Sequence, residues 1–254
     1  MLNLIIILLF SVHSFVAPRN LNPGSRIIDG ELVDISQVPY QVAILFEGKQ
    51  VCGGSLISTT KVLTANHCWT DETNRNLSEY SVRVGSTDWE KGGQEIYASA
   101  VDLYDVPEGE VYLNYDIAVI TLKSAVNVSN AIPIQLDDAD RVYVDGEVVT
   151  ISGWGLPFSP FEPIPPNVTI GKYPLSVINS TVVSCGDSSD SPDTILCIRQ
   201  NGGGICYGDS GGPAVINGKL AGIVSSGICG SEKYPGAYTK ISAFREWIRQ
   251  HAGV

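Results

Sequence analysis

Short β-rich runs separated by turn residues constrain the fold of this chain more than any other feature of its sequence. Each run has five to seven residues, and the clearest are 41–46, 80–84, 116–122, 148–152 and 220–224. Runs of this length at close spacing predict an all-β protein built from antiparallel barrels or sandwiches. The sequence predicts one helix, over 243–250, with Ser242 as its N-cap.

The N-terminus has the pattern of a secretory signal peptide. An apolar run, 4–10, is followed by small residues near Ser11 and Ser14. The run is too short to span a bilayer, which takes about 20 apolar residues. We therefore expect a removed leader at 1–14 and a secreted, extracellular protein, with a membrane anchor as the less favoured alternative.

The chain is acidic, with a net charge of −11. Two of its 16 basic residues, Arg19 and Arg26, lie before Ile27, and no acidic residue does. The remainder therefore has 14 basic against 27 acidic residues, a net charge of −13. This charge argues against nucleic acid and anionic membranes as partners.

Four N-glycosylation sequons are present in the sequence. Each is a weak signal alone, but in a secreted chain sequons mark surface loops, and some carry glycans. The candidate asparagines are Asn76, Asn127, Asn167 and Asn179.

Six cysteines in a secreted chain suggest three disulfide bonds. Sequence alone allows fifteen pairings of six cysteines. Free thiols or a metal site are disfavoured, because the chain has no Cys-x-x-Cys pair and only one histidine within its folded body.

A glycine-rich stretch near the C-terminus holds a candidate nucleophile. Ser210 lies in Gly-Asp-Ser-Gly-Gly-Pro at 208–213, where a tight turn can expose its hydroxyl and direct backbone N–H groups to one point. A serine hydroxyl needs a base. His13 lies in the leader and His251 near the end, so His67 is the candidate base.

The stretch 208–213 together with Thr-Ala-Asn-His-Cys at 64–68 resembles the chymotrypsin/trypsin family of serine proteases, closest to its invertebrate chymotrypsin-like members. The resemblance extends from Ile27 to about Gln250. It implies two packed six-stranded antiparallel β-barrels and a C-terminal helix, with the active site in the cleft between barrels. The peptidase domain would be 27–254, divided into 27–136 and 137–254.

The resemblance assigns the chemical roles. Ser210 would be the nucleophile, His67 the general base and then acid, and Asp116 the group that holds the imidazole. The backbone N–H groups of Gly208 and Ser210 would form the oxyanion hole. Asn66 departs from the family pattern, which usually has alanine before the histidine.

A zymogen is also implied by the resemblance. Residues 15–26 would be a pro-segment, removed by a trypsin-like protease that cuts after Arg26. The new α-amine of Ile27 would then pair with Asp209 and order the neighbouring Gly208. Asp29 departs from the family pattern, which usually has glycine there.

The disulfide pairing comes from the resemblance as well. It implies the pairs Cys52–Cys68, Cys185–Cys197 and Cys206–Cys229.

The resemblance places the substrate pocket at Gly204, Ile205, Ser225, Gly227 and Gly236. Trypsin-like members carry an aspartate at the position of Gly204, so a basic P1 residue is not expected here. An open, uncharged slot favours large apolar P1 side chains. Ile205 could shorten the slot, and smaller aliphatic side chains are the alternative.

These features together predict a secreted serine endopeptidase that is made as a zymogen. Its expected partners are protein or peptide substrates, an activating protease and possible protein inhibitors. We expect a monomer that needs no cofactor and no metal. The alternatives are a catalytically silent homologue that binds proteins and an adhesive extracellular module, although the triad residues and the activation sequence are all retained.

Overall fold

The computed structural model describes residues 28, 30–69, 76–157, 173–186, 193–201 and 203–254. Within these ranges the chain forms fourteen strands, β1 to β14 in chain order, and one α-helix, α1, at Arg245–Ala252. The strands are Glu31–Leu32, Gln41–Phe46, Lys49–Leu56, Lys61–Thr64, Tyr80–Val84, Gln94–Leu103, Ala118–Leu122, Gln135–Leu136, Val148–Gly153, Ser176–Thr181, Ile195–Ile198, Pro213–Ile216, Lys219–Ser226 and Gly236–Lys240. Short 3-10 turns lie at Ile35–Gln37, Asn66–Trp69, Leu77–Glu79, Tyr112–Tyr115 and Ile241–Phe244. The expected leader and pro-segment lie outside the described residues.

Six strands of the first half close into a barrel in the order β2-β3-β4-β7-β6-β5, with every neighbouring pair antiparallel. Because successive side chains of a strand point to opposite faces, alternate residues of these strands face the interior of the barrel. The buried residues inside include Val42, Ile44, Val82, Val84 and Ile120. Full burial of a side chain of this size contributes about 1.5–3 kcal/mol.

The remaining eight strands form a sheet that runs β1-β10-β9-β12-β13-β14-β11, with β8 pairing in parallel with β13. Of these strands, β1 and β8 come from the first half of the chain and the other six from the second. An isolated bridge between Val182 and Ile198 joins the end of β10 to β11. This bridge closes β9 to β14 into a ring of six strands. The expected all-β fold of two barrels and a C-terminal helix is therefore confirmed, with β1 and β8 as additional strands.

A shared apolar cluster fixes the two halves against each other. It contains Leu63, Ala65 and Ile117 from the first half, and Ile223 from the second, all without solvent exposure. Ile248 of α1 completes it. Because Ala65 lies two residues before His67, and Ile117 directly follows Asp116, the same packing positions the candidate catalytic residues.

The helix begins later than the sequence predicted. The turn Ile241–Phe244 comes first, and α1 starts only at Arg245. Ser242 lies inside the turn, and Phe244 occupies the N-cap position without a side-chain cap. Because Ile241 and Phe244 are both buried in the shared cluster, the chain passes through the core in a tight turn before the helix begins. The helix ends at Gly253, whose φ of 75° glycine adopts readily.

Three disulfide bonds are present, and their pairs are those that the resemblance implies. One joins β3 to the turn that carries His67, one joins the segment after β10 to β11, and one joins the segment before Ser210 to the segment after β13. They are Cys52–Cys68, Cys185–Cys197 and Cys206–Cys229.

Candidate active site

The imidazole of His67 and the carboxylate of Asp116 form a close pair. His67 lies in the 3-10 turn that follows β4, and Asp116 ends the turn that precedes β7. Nδ1 of His67 lies 2.7 Å from Oδ2 of Asp116, and the backbone N–H of His67 donates to Oδ1 at 2.8 Å. A carboxylate accepts only, so Nδ1 carries the hydrogen and Nε2 is left as the basic nitrogen.

Asp116 is fully buried and is held by the second half of the molecule. The hydroxyl of Ser225 in β13 donates to Oδ2 at 2.6 Å, and the hydroxyl of Thr239 in β14 donates to the backbone carbonyl of Asp116 at 2.7 Å. A buried carboxylate needs such donors to offset the loss of hydration. The side chain of Ser225 is therefore directed to Asp116, although the sequence suggested it for the substrate pocket.

The loop that carries Ser210 packs against the segment that carries His67. The backbone N–H of Gly53 in β3 donates to the carbonyl of Ser210 at 2.7 Å. A Cβ on Gly211 would lie 2.1 Å from Oγ1 of Thr64 and 3.1 Å from the backbone nitrogen of Ala65. Only glycine at 211 permits this approach. The structure therefore brings the loop of the candidate nucleophile, from the second half, against the segment that carries the candidate base, from the first.

Gly208 has a backbone conformation that glycine adopts readily. Its φ is 95°, and a Cβ there would lie 3.3 Å from Cα of Gly155. This conformation decides where its N–H points, and so it supports the expected glycine requirement at the oxyanion position.

Asp209 is a second fully buried aspartate. Its carboxylate accepts from the backbone N–H groups of Gly155 at 2.8 Å and Cys206 at 3.0 Å. A Cβ at Gly153 or at Gly155 would lie 2.2 Å from a carboxylate oxygen, so two glycines make room for it. Burial raises the pKa of Asp209 to about 7, although both N–H donors act in the opposite direction.

The candidate pocket is narrower than its glycine walls suggest. Ile205 is buried, and its Cδ1 lies 3.2 Å from the position of a Cβ on either Gly227 or Gly236. The side chain of Ile205 therefore lies against both walls and occupies part of the slot between them.

Gln200 occupies the space beside Gly204. It is 5% exposed, and its Nε2 donates to the carbonyls of Ile228 at 2.9 Å and Tyr234 at 3.4 Å. These two acceptors fix the orientation of the amide. A Cβ on Gly204, whose φ is 124°, would lie 2.9 Å from Oε1 of Gln200. Oε1 is buried and has no hydrogen-bond partner among the residues that the structure describes.

The expected activation and glycosylation residues are only partly described. Arg26, Ile27 and Asn167 lie outside the described residues, and Asp29 lies outside as well. Ile28 is described and buried, and it exchanges backbone hydrogen bonds with Gly204 at 3.2 and 2.9 Å.

The other three sequon asparagines are exposed. Asn76 caps the turn Leu77–Glu79, Asn127 follows β7, and Oδ1 of Asn179 in β10 accepts from Thr150. Glycosylation at these positions stays a prediction.

Reasoning from the sequence missed several residues of this site. They act across long separations in the chain, so no local pattern indicates them. The exception is the pair of glycines around Trp154, since glycines inside a strand pattern suggest close backbone approach. The missed residues are Gln50, Gly153, Gly155, Gln200 and Thr239.

Among the described residues, no helix has the length and apolar character needed to cross a bilayer.

Comparison with known proteins gives one consistent result. The family model for trypsin matches residues 27–248. A trypsin from Phaedon cochleariae is 34% identical over 258 residues, covering 92% of this chain and 91% of that protein. Trypsin delta from Drosophila erecta is 32% identical over 246 residues, with 92% of both covered. The solved structure of neuropsin, a serine protease expressed in the limbic system of mouse brain, is 31% identical, has a TM-score of 0.74, and covers 89% of this chain and 99% of that one.

Proposed function

We propose, because this chain belongs to the trypsin family of serine proteases, that this endopeptidase is secreted as a zymogen and is activated by cleavage after Arg26. The active form hydrolyses proteins and peptides after uncharged, apolar residues. It acts outside the cell as a monomer, on which protein inhibitors can act.

The observation that carries the catalytic assignment is the His67–Asp116 pair. With Asp116 holding Nδ1 at 2.7 Å, Nε2 of His67 is the ring nitrogen that would accept the proton of the nucleophile. The loop of Ser210 packs against the segment that carries this histidine. We assign Ser210 as nucleophile, His67 as general base and Asp116 as the residue that orients the imidazole.

The reaction then follows the chemistry of these groups. Oγ of Ser210 forms a bond to the carbonyl carbon of the substrate as its proton passes to Nε2 of His67. The C=O electron pair moves to the oxygen, which the N–H groups of Gly208 and Ser210 stabilise. His67 returns the proton to the leaving amine as the C–N bond breaks. Water repeats the sequence on the acyl-enzyme and releases the acid.

Asp209 supports the proposed activation step. A fully buried carboxylate with a raised pKa, held by two backbone donors, lacks a positive partner within the described chain. Cleavage after Arg26 would create a cation at Ile27, directly before Ile28, which already pairs with Gly204. An ammonium next to Asp209 would favour its ionised form. We propose that this ion pair completes the loop that carries Gly208.

The pocket residues support an uncharged P1 side chain. The family resemblance associates trypsin-like specificity with an aspartate at the position of Gly204. Although the relatives above are named trypsins, this chain has glycine there. The space beside Gly204 is taken by Oε1 of Gln200, a neutral group. Of the two apolar classes expected from the sequence, the contacts of Ile205 with Gly227 and Gly236 favour the smaller, aliphatic one.

Hydrolysis of a peptide library by the Arg26-cleaved protein tests the proposed function. We expect turnover by the cleaved protein and none by Ser210→Ala treated in the same way. Arg26→Gln, which the activating protease cannot cut, should stay inactive. A correctly cleaved protein that binds peptides without hydrolysing them would support the silent homologue instead.

A scan of chromogenic peptides tests the pocket. For the wild-type enzyme we expect kcat/KM for Ala, Val or Leu at P1 to exceed that for Phe by about tenfold, with Lys lower still. Ile205→Ala should raise kcat/KM for Phe at P1, relative to that for Ala at P1, by roughly tenfold, because the side chain that shortens the slot is gone. The matched control is Ile132→Ala, at an exposed position. A wild-type preference for Phe that Ile205→Ala leaves unchanged would contradict the assignment.

A further inference from the structure

Gln50 connects the first barrel to the candidate oxyanion loop. It lies in β3, and its Nε2 donates to the carbonyl oxygen of Gly208 at 2.8 Å, across 158 residues of sequence. Both partners are partly buried. The contact crosses between the two halves of the molecule and reaches the one glycine whose N–H the proposed mechanism requires.

The same strand makes a second contact to this loop. Three residues after Gln50, the backbone N–H of Gly53 donates to the carbonyl of Ser210 at 2.7 Å. Strand β3 thus holds the carbonyl of both residues whose N–H groups are assigned to the oxyanion hole. The contact from Gly53 is made by backbone atoms, whereas the contact from Gln50 depends on its side chain.

The contact from Gln50 restrains one peptide plane from both ends. The carbonyl of Gly208 and the N–H of Asp209 belong to the same planar peptide. Its oxygen accepts from Gln50, and its N–H donates to the carbonyl of Cys206 at 3.1 Å. Gly208 has little steric restraint of its own, because glycine reaches many φ and ψ values. Fixing the peptide plane that follows Gly208 therefore limits the directions in which the N–H of Gly208 itself can point.

We infer that Gln50 is a positioning residue for the oxyanion hole, and that its side-chain N–H donor holds Gly208 in the conformation that stabilises the transition state. This inference rests on the proposed function, since it assigns Gln50 to the same reaction. We assign Gln50 no contact with the substrate. It acts on the energy of the charged intermediate rather than on the binding of the peptide.

Three substitutions at one position separate the donor from the shape of the side chain. Gln50→Leu keeps the approximate size and removes the donor. Gln50→Glu keeps the shape and presents a carboxylate to the carbonyl of Gly208. Gln50→Lys restores an N–H donor. The control is Gln135→Glu, the same chemical change at an exposed position in β8.

The readout is kcat and KM for one good peptide substrate between pH 5 and pH 8, with thermal unfolding of each variant alongside. At pH 8 we expect kcat to fall roughly tenfold in Gln50→Leu and at least as much in Gln50→Glu, with KM changed less than about twofold. Gln50→Lys should keep most of the wild-type kcat.

The pH dependence of Gln50→Glu is the signature of the donor. Below the pKa of its carboxyl, the protonated side chain can donate an O–H to the carbonyl of Gly208. The ratio of its kcat to the wild-type kcat should therefore rise as the pH falls from 8 to 5. Dividing by the wild-type value at each pH removes the titration of the shared catalytic groups. The ratio for Gln50→Leu should stay flat.

Several results would overturn the inference. Among them are a wild-type kcat in Gln50→Leu, a loss confined to KM, an equal loss in Gln50→Lys and Gln50→Leu, and a flat ratio for Gln50→Glu. If Gln50→Glu does not fold, the comparison of Gln50→Lys with Gln50→Leu decides the question. If the wild-type enzyme is active and the Gln50 variants have the same kcat as the wild type, only the role of Gln50 is overturned. If the correctly cleaved wild type is inactive, the proposed function is overturned as well.

Discussion

Two aspartates of the described part of the chain are fully buried, and their surroundings differ. The carboxylate of Asp116 accepts three hydrogen bonds, two from His67 and one from Ser225. The carboxylate of Asp209 accepts from two backbone N–H groups, and burial raises its pKa to about 7. Among the residues that the structure describes, His67 lies beside the first carboxylate and no cation lies beside the second. In the zymogen proposed above, the His67–Asp116 pair would therefore be formed before cleavage, whereas the loop that carries Gly208 would still lack the ion pair to Asp209.

The largest effect is expected from removing the carboxylate that holds the imidazole of His67. Asp116→Asn would present an amide N–H₂ or a carbonyl to Nδ1 of His67, and the imidazole would lose the tautomer that leaves Nε2 basic. We expect kcat of the cleaved enzyme to fall by about 10⁴, with little change in KM. Asp137→Asn is the control, since Asp137 is also buried but lies elsewhere. An equal loss in both variants would point to general destabilisation.

The second largest effect is expected from removing the carboxylate of Asp209. In the cleaved enzyme, Asp209→Asn should lower kcat by about 10²–10³, because Gly208 loses the ordering that the ion pair provides. In the uncleaved chain the same substitution should leave stability at pH 8 unchanged or higher, since it removes an uncompensated buried charge. Steady-state kinetics and calorimetry on both forms test this pair of outcomes. Full activity of cleaved Asp209→Asn would refute the activation step.

The smallest effect concerns pH. In the uncleaved chain Asp209 holds its proton up to about pH 7, whereas in the unfolded chain it releases it near its ordinary pKa of 3.8. The folded state is therefore favoured at low pH, and this contribution is lost as the pH rises from about 4 to 7. The unfolding temperature of the uncleaved wild type should fall by several degrees relative to uncleaved Asp209→Asn across this window.

Cleavage should remove this pH dependence. With an ammonium beside Asp209, its carboxylate is stabilised and the relative fall should disappear. Calorimetric scans of the cleaved and uncleaved proteins at pH 4, 5.5 and 7 provide the comparison. If the unfolding temperature changes with pH in the same way in the cleaved and uncleaved proteins, the new amine does not reach Asp209.

The sequence anticipated much of this molecule for identifiable reasons. Short β-rich runs separated by turn residues predicted strands, because such runs are typical of the strands of antiparallel sheets. The stretches around His67 and Ser210 indicated the chemistry, since each is a local pattern whose residue types the reaction requires.

Other features depend on contacts between distant parts of the chain. Gln50 and Gly208 are 158 residues apart, and Asp116 and Thr239 are 123 apart, so no local pattern connects them. The predicted start of α1 was wrong, because burial of Ile241 and Phe244 in the shared cluster overrides the preference of Ser242 for an N-cap position. The fit of Ile205 between two glycine walls likewise depends on the fold.

The most direct test of this account is the rate at which a fluorophosphonate labels Ser210 before and after cleavage behind Arg26, followed by mass spectrometry of the labelled peptide. We expect slow labelling of the uncleaved chain, labelling at least a hundredfold faster once Ile27 is the N-terminus, and no such gain in Asp209→Asn. Equal labelling rates for the cleaved and uncleaved wild type, or no label on Ser210 in the cleaved form, would contradict it.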